Sequence, residues 1–292
     1  MGKILFVASY KGGVGKTTVS AGISASLAAL GKRVLVIDGD FHMRCMDLVL
    51  NSESDFIFDA LDVLLGRCTA DEAIIKNCGV NNLDFLPAPL IYGDDQPALD
   101  NADELMAELK DNYDFIIVDS GADTPGIYDA FAEFADEGII VTFQQATAIR
   151  AAEVTAGKLS ALGLESIRLV VNSYRNKGVR KKILPDVFES VTRAGIPLLG
   201  VIPYDPRIIE FQEKGILPFT QKKFFINSFE AAFGNIAMRV LGDKIPLFKN
   251  VGNFTLRRKY VSPKVNEIFE EKIYDLQNQD FESQDSSSGS EN

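Results

Sequence analysis

The sequence has 292 residues, of which 46% are hydrophobic and 24% are charged, and its formal net charge is −11. That length allows one large domain or two small ones, and the apolar fraction is sufficient for a sizeable core. The composition therefore excludes a wholly disordered or fibrous protein. With 30 basic against 41 acidic residues, any contact with DNA would need a local basic patch.

The cysteines and the first residues indicate a cellular compartment. Cys45, Cys68 and Cys78 form no C-x-x-C pair, and an odd number favours reduced thiols over a disulfide framework or a metal site. Residues 1–9 lead directly into an apolar strand pattern with no leader-like segment. No stretch approaches the roughly 18 apolar residues of a membrane span. We therefore expect a soluble, cytoplasmic protein.

Short apolar runs recur along the chain, and helix-length segments separate them. Because several runs are apolar at nearly every position, they are typical of parallel strands that are buried on both faces. The predicted strands are Ile4–Ala8, Val34–Asp38, Leu83–Leu86, Phe115–Asp119, Gly138–Phe143, Leu169–Asn172 and Leu198–Pro203, and the predicted helices are Thr17–Leu30, Ala102–Leu109, Ile149–Leu162 and Phe225–Leu241. This alternation predicts an α/β fold with a doubly wound, mostly parallel sheet and helices on both faces.

The last fifty residues differ in character from the rest, and they suggest three regions: 1–245, 246–276 and 277–292. Leu247–Lys264 carries five bases and no acid, and Val265–Leu276 has the pattern of an acidic amphipathic helix. Residues 277–292 contain four acids and five serines with few apolar residues, so we expect a disordered tail. The basic segment is equally compatible with docking on a protein partner and with a peripheral membrane contact.

The strongest chemical signal is a glycine-rich loop between the first strand and the first helix. Its residues are Lys11, Gly12, Gly13, Val14, Gly15, Lys16, Thr17 and Thr18. Glycines allow backbone N–H groups to approach a phosphate closely, and the loop opens a helix, which is the context of a phosphate cradle. We expect Lys16 to neutralise the β/γ-phosphate oxygens, Thr17 to bind Mg²⁺, and Thr18 to lie at the α-phosphate.

Polar residues at the ends of later strands complete the predicted site. Asp38 and Asp40 follow the second strand at the carboxyl edge of the sheet, where ligands bind in such folds. Asp40 is our candidate for orienting the attacking water, and Asp38 for the outer shell of the metal. Asp119 ends a very apolar strand, where Mg²⁺ bridged by water would balance its charge. Asn172 ends a late strand and offers an amide that suits the edge of adenine.

These motifs resemble the deviant Walker-A ATPases of the MinD/ParA family, and the MinD group most closely. Tyr10 stands where the ordinary loop has its first glycine, and Lys11 is the family's additional lysine. The resemblance covers about residues 1–245, and the other matching segments are Val36–Phe41, Asp47-Leu48, Phe115–Ser120 and Leu199–Asp205. It implies a P-loop NTPase fold that binds ATP and Mg²⁺ and hydrolyses ATP.

The resemblance also implies roles that the residues alone do not show. Lys11 would reach the phosphates of a second copy, so that ATP favours a homodimer, and Lys11, Lys16 and Asp40 would carry slow hydrolysis that an activating protein partner accelerates. Pro203 and Asp205 would close the base pocket opposite Asn172. The implied biological role is spatial regulation, such as placement of the division site or of another cell structure, with work in the cytoplasm or peripherally at the inner face of the membrane.

Three departures from the family pattern leave alternatives open. Gly121 and Asp123 replace residues of the D-S-P-A-G segment, Gln144–Ala151 lacks the expected acids, and Ser173 follows Asn172 where the family often has a basic residue. A ParA-like DNA-partitioning ATPase would use the basic runs Ser173–Lys182 and Leu247–Lys264. A nucleotide-binding scaffold with little turnover is a further alternative. A metal-insertion ATPase is disfavoured because paired cysteines are missing from the sequence.

Overall fold

The computed structural model describes residues 1–53, 56–90, 100–121, 126–218 and 228–245. Both predicted C-terminal regions, 246–276 and 277–292, lie outside these residues, as do Asp123 and the first three residues of the predicted helix Phe225–Leu241. The proposed boundaries of the three regions therefore stay predictions.

Seven strands form one sheet in which all the paired strands are parallel, in the order β3-β2-β4-β1-β5-β6-β7. Every predicted strand is present, and the bounds differ from the predicted ones by at most two residues. The strands are β1 (Lys3–Ala8), β2 (Val34–Gly39), β3 (Leu83–Leu86), β4 (Phe115–Ser120), β5 (Glu137–Thr142), β6 (Ile167–Tyr174) and β7 (Leu198–Pro203). The predicted doubly wound α/β fold is confirmed.

The described residues also contain four longer helices at the predicted places and seven short ones. The four are α1 (Lys16–Ala29), α5 (Asp100–Asn112), α7 (Ala146–Ala161) and α11 (Ser228–Val240), and the seven are α2 (Met46–Leu50), α3 (Ala60–Leu64), α4 (Ala70–Ala73), α6 (Ile127–Glu133), α8 (Asn176–Arg180), α9 (Val187–Ala194) and α10 (Arg207–Glu213). The sequence did not predict the short helices, because four to eight residues are too few for a helical period to stand out.

The core lies on both faces of the sheet, which is why the strands are apolar at nearly every position. β2 and β4 are buried at all six of their positions. One face packs beneath α1 and α11, where Gly22 lets the two helices approach each other closely. A Cβ at Gly22 would lie 2.3 Å from the ring of Phe233. The opposite face packs beneath elements that include α5, α6, α7 and α9.

This topology gathers the predicted site residues at one edge of the sheet. β1 lies between β4 and β5, so the chain reverses its winding direction beside β1, and ligands bind at the carboxyl end of such a switch point. The glycine-rich loop follows β1 there, and Asp38 and Asp119 are the next-to-last residues of the adjacent strands β2 and β4. Within the described ranges, no helix has the length and apolar character needed to cross a bilayer.

Candidate functional site

The glycine-rich loop has the backbone shape of a phosphate cradle. Gly13 and Gly15 have φ angles of 74° and 86°, in the left-handed region that other residues rarely adopt. Gly15 is the N-cap of α1 and provides no side-chain cap, and the first turn of α1 contains no acidic residue. The N–H groups at the start of α1 therefore lack a side-chain acceptor of that kind, and together with the helix dipole they favour the binding of an anion.

Asn172 fastens this loop to the end of β6. Its Nδ2 donates a hydrogen bond of 2.8 Å to the carbonyl oxygen of Val14, and its Oδ1 accepts one of 2.8 Å from the N–H of Ser173. A Cβ at Gly15 would lie 2.5 Å from Nδ2 of Asn172, so the loop needs glycine there. The structure therefore shows Asn172 holding the phosphate loop. Its expected contact with adenine stays a prediction.

Asp119 is buried at the end of β4, next to the start of α1. One carboxylate oxygen accepts a hydrogen bond of 2.8 Å from the Ser20 hydroxyl. Burial raises the pKa of Asp119 to about 6, although hydrogen bonds from Thr17 and Ser20 and the charge of Lys16 act in the opposite direction. Asp119 thus lies close to the loop residues Lys16 and Thr17, as the predicted metal site requires.

Asp38 lies directly beside Asp119, because the two residues are paired in register on β2 and β4. Its two carboxylate oxygens accept hydrogen bonds from the N–H groups of Asp40, at 3.0 Å, and Met46, at 3.1 Å. Burial, followed by the charge of Asp119, raises the pKa of Asp38 well above its ordinary value. Asp38 therefore shapes the loop after β2 and also places a second carboxylate at the site.

Asp40 is half-buried, and its carboxylate accepts a hydrogen bond of 3.1 Å from the N–H of Met43. Its charge contributes to the raised pKa of both Asp38 and Asp119, so the three carboxylates share one edge of the sheet. Within the described ranges, however, no three His, Cys, Asp or Glu side chains are arranged to hold a metal ion directly. A metal here would take part of its coordination shell from water and phosphate, which Mg²⁺ prefers.

The predicted base pocket lies where β6 and β7 end side by side, since Tyr174 pairs with Pro203. Asp205 accepts hydrogen bonds from Arg207, at 3.1 Å from its backbone N–H and 2.9 Å from its Nε. The Arg175 guanidinium carbon lies 4.1 Å from the centroid of the Tyr204 ring. Asn172, Pro203 and Asp205 are thus on adjacent segments at the same edge, and their contact with a nucleotide base stays a prediction.

The lysines of the loop are both half-buried. The backbone N–H of Lys11 donates a hydrogen bond of 3.3 Å to the Ser9 hydroxyl. The charge of Lys16 acts on Asp119, whereas Lys11 stands at the other end of the loop, next to Tyr10. This separation agrees with the prediction that Lys16 binds the phosphates on its own loop and Lys11 those of a second copy.

Two site residues were missed by the sequence reasoning. Ser20 lies four residues after Lys16, so a helical spacing of i to i+4 was a usable signal for its place near Asp119. Gln212 on α10 donates a hydrogen bond of 2.9 Å to the Thr18 hydroxyl. No local sequence pattern predicts that contact, because 194 positions separate the two residues.

Comparisons with known proteins agree with this geometry. The family described as the CobQ/CobB/MinD/ParA nucleotide binding domain matches residues 5–219. Septum site-determining protein MinD of Synechocystis is 37% identical over 246 residues, which are 84% of this chain and 92% of that protein. The MinC:MinD cell division protein complex of Aquifex aeolicus has a TM-score of 0.76 at 30% identity and covers 89% of this chain and 100% of that chain.

A further solved structure contains a nucleotide. Septum site-determining protein MinD of Pyrococcus horikoshii, complexed with Mg-ADP, has a TM-score of 0.69 at 30% identity. The match covers 82% of this chain and 96% of that chain. The range matched by the family, residues 5–219, contains every site residue named above.

Proposed function

This chain belongs to the CobQ/CobB/MinD/ParA nucleotide-binding family, and we propose that it is a MinD-like ATPase that hydrolyses ATP to ADP and phosphate. The observation that carries the proposal is the phosphate loop at the start of α1, which faces the buried carboxylates Asp38 and Asp119. A triphosphate on the loop would lie between the N–H groups of α1 and these carboxylates.

The donor set fits Mg²⁺. Two neighbouring buried carboxylates with raised pKa values lack enough positive charge nearby, and a divalent cation supplies it. Thr17 would provide a hydroxyl ligand, Asp119 would hold metal-bound water, and Asp38 would add charge from outside the first shell. When bound, the ion neutralises charge on the β- and γ-phosphate oxygens.

The remaining roles belong to the loop lysines and to Asp40. Lys16 would bind the β/γ oxygens. The Thr18 hydroxyl accepts a hydrogen bond from Gln212 and would donate its own proton to the α-phosphate. Asp40 would orient a water in line with the γ-phosphate. Its carboxylate accepts one hydrogen bond, from the N–H of Met43, and a carboxylate has acceptor sites on both oxygens with which it can also hold a water.

ATP would act as a switch between a monomer and a homodimer. In this proposal Lys11 contacts the phosphates held by a second copy, where a cation stabilises the charge that develops during transfer. Hydrolysis removes the contact and releases the dimer. The Aquifex relative is described in complex with MinC, which supports docking of a protein partner. In this proposal such a partner also sets the rate of hydrolysis.

The biological role that we propose is spatial positioning of the division site or of another cell structure. The curated relatives of Synechocystis and Bacillus subtilis are named septum site-determining proteins. The protein would act in the cytoplasm, with peripheral contact at the inner face of the membrane as part of the proposal.

Nonspecific DNA binding is a second candidate, supported by one surface. Arg175, Lys177 and Arg180 are exposed in and beside α8, and Lys181 and Lys182 extend the exposed basic run. Retention on DNA at low salt that falls steeply as the salt concentration rises would favour a ParA-like role.

Two substitutions test the ATP switch. We expect Lys11→Ala to bind ADP normally and to remain monomeric with ATP in sedimentation experiments, whereas Asp40→Ala forms an ATP dimer that releases little phosphate. Lys32→Ala, at the opposite edge of the sheet, is the matched control and should behave as wild type. Normal ATP-dependent dimerisation of Lys11→Ala would remove Lys11 from the interface, and wild-type turnover of Asp40→Ala would remove Asp40 from the mechanism.

A further inference from the structure

Tyr10 stands where the ordinary phosphate loop has a glycine, and its side chain and backbone contact two helices. Its ring stacks on the ring of Tyr128 in α6, with 6.1 Å between centroids and an interplanar angle of 19°. Its backbone N–H donates a hydrogen bond of 3.1 Å to the Thr155 hydroxyl of α7. The residue immediately before Lys11 is therefore fixed from outside the loop.

A lysine of α7 joins the two rings. Lys158 Nζ lies 4.4 Å from the centroid of Tyr128 and 5.8 Å from that of Tyr10. It also forms an ion pair of 2.6 Å with Asp129, the residue after Tyr128. A cation over aromatic faces at these distances is attractive, more so when it is partly shielded from water. Although burial opposes it, hydrogen bonds with Asp129 and Tyr10 raise the pKa of Lys158, so the lysine stays charged.

The far side of this cluster is anchored in the core. Tyr128 is 4% exposed and packs edge-on against Phe6 of β1, with 4.9 Å between centroids and an interplanar angle of 86°. Its hydroxyl is buried without a hydrogen-bond partner within the described residues. Tyr128 is therefore held in place by the packing of its ring and not by a hydrogen bond of its hydroxyl group.

The two ends of the cluster belong to different parts of the site. Tyr10 precedes Lys11 in the loop, whereas α6 begins eight residues after Asp119, the carboxylate that faces the proposed metal. With glycine at position 10 the stack would not exist, and the loop and α6 would be free to respond to a ligand separately.

We propose that Tyr10 is a positioning residue that couples the phosphate loop to α6 through Tyr128 and Lys158. In this proposal, binding of a γ-phosphate near Asp119 changes the position of α6. The stacked rings transmit that change to the backbone at Tyr10 and so to the position of Lys11. The inference rests on the proposed function, because it assigns these residues to the same nucleotide site. It predicts that the cluster sets the preference for a triphosphate over a diphosphate and contributes little to diphosphate affinity itself.

The test compares the dissociation constants of ADP and a nonhydrolysable ATP analogue, both with Mg²⁺, for the full-length chain. We expect Tyr10→Ala and Lys158→Met each to weaken analogue binding about tenfold and ADP binding less than threefold. The double variant should be no worse than either single one, because both changes break the same coupling. Tyr10→Phe should restore most of the discrimination, and Tyr128→Phe, which removes only the unpartnered hydroxyl, should match wild type.

Tyr113→Leu is the control for general loss of a buried aromatic ring, since Tyr113 lies at the opposite edge of the sheet and is 6% exposed. An unchanged ratio of the two constants in Tyr10→Ala would overturn the proposal, as would equal weakening of both ligands. Additive effects in the double variant would also overturn it. If the wild-type chain binds neither nucleotide, the proposed function itself fails, which is a separate and recognisable result.

Discussion

Asp119 is the next-to-last residue of β4, at the carboxyl edge of the sheet, and Glu137 begins β5 at the amino edge. Both residues are 1% exposed. Lys3 Nζ lies 2.6 Å from one carboxylate oxygen of Glu137 and the Arg168 side chain contacts the other, and these partners outweigh burial, so the pKa of Glu137 is lowered. Asp119 has Asp38 beside it, and burial raises its pKa to about 6.

The difference separates a structural ion pair from the proposed binding site. At the amino edge the protein itself balances the buried charge, so Glu137 contributes to folding. At the carboxyl edge two acids share an environment that disfavours their ionised forms, which costs stability unless a cation arrives. Strongly perturbed pKa values of this kind cluster at functional sites, where stability is exchanged for chemistry.

The largest effect is expected from removing the charge at the carboxyl edge. Asp119→Asn keeps an oxygen that accepts from Ser20 but loses the negative charge that faces the proposed metal. We expect ATP turnover to fall at least about 100-fold. The rate of phosphate release at saturating Mg²⁺ and ATP measures this loss of turnover, and Glu137→Gln is the control at the other edge. Turnover within a factor of about three of wild type would remove Asp119 from the mechanism.

The same charge removal at the amino edge should damage folding and leave turnover intact. Glu137→Gln leaves Lys3 and Arg168 without their anionic partner, and both are partly exposed, so water replaces some of the loss. We expect the free energy of unfolding to fall by about 2 kcal/mol. Urea unfolding monitored by circular dichroism measures this change. An increase in the free energy of unfolding would show that the ion pairs of Glu137 with Lys3 and Arg168 do not stabilise this edge of the sheet.

The pH dependence of stability should have opposite signs at the two edges. Asp119 has a folded pKa of about 6, above the unfolded value of about 3.9. The stability that the protonated Asp119 carboxyl contributes is therefore fully present below about pH 4, and it is lost as the pH rises through 6. The lowered pKa of Glu137 gives stability above its unfolded pKa of about 4.3, and that stability is lost as the pH falls through the folded value.

In the ligand-free protein, Asp119→Asn should therefore be more stable than wild type at pH 7–8, by roughly 2 kcal/mol, and equal to it near pH 4. Glu137→Gln should be less stable at neutral pH and approach wild type in acid. Unfolding curves at intervals of half a pH unit would show this, and parallel curves for the two variants would refute the contrast between the edges.

Much of this arrangement could be predicted from the sequence. The strands were found because apolar residues are contiguous in them, and parallel strands that end in Asp38 and Asp119 must bring these residues to one edge. Long-range side-chain contacts could not be predicted. The contact of Gln212 with Thr18 and the stack of Tyr128 on Tyr10 depend on how distant segments pack, and no local period encodes such packing.

The smallest predicted effect concerns Ser20, whose hydroxyl donates to Asp119 at 2.8 Å. Because a hydrogen bond to the ionised carboxylate lowers its pKa, Ser20→Ala should raise that pKa by about half a unit and cost about 1 kcal/mol at pH 8. Ser24→Ala is the matched control, since the buried Ser24 hydroxyl donates to the carbonyl oxygen of Ser20 and not to Asp119. If the carboxyl edge is a cation site with an unbalanced buried charge, Ser20→Ala shifts the pH midpoint of stability and Ser24→Ala does not. Identical pH profiles for the two variants would mean that this hydroxyl does not tune the carboxylate.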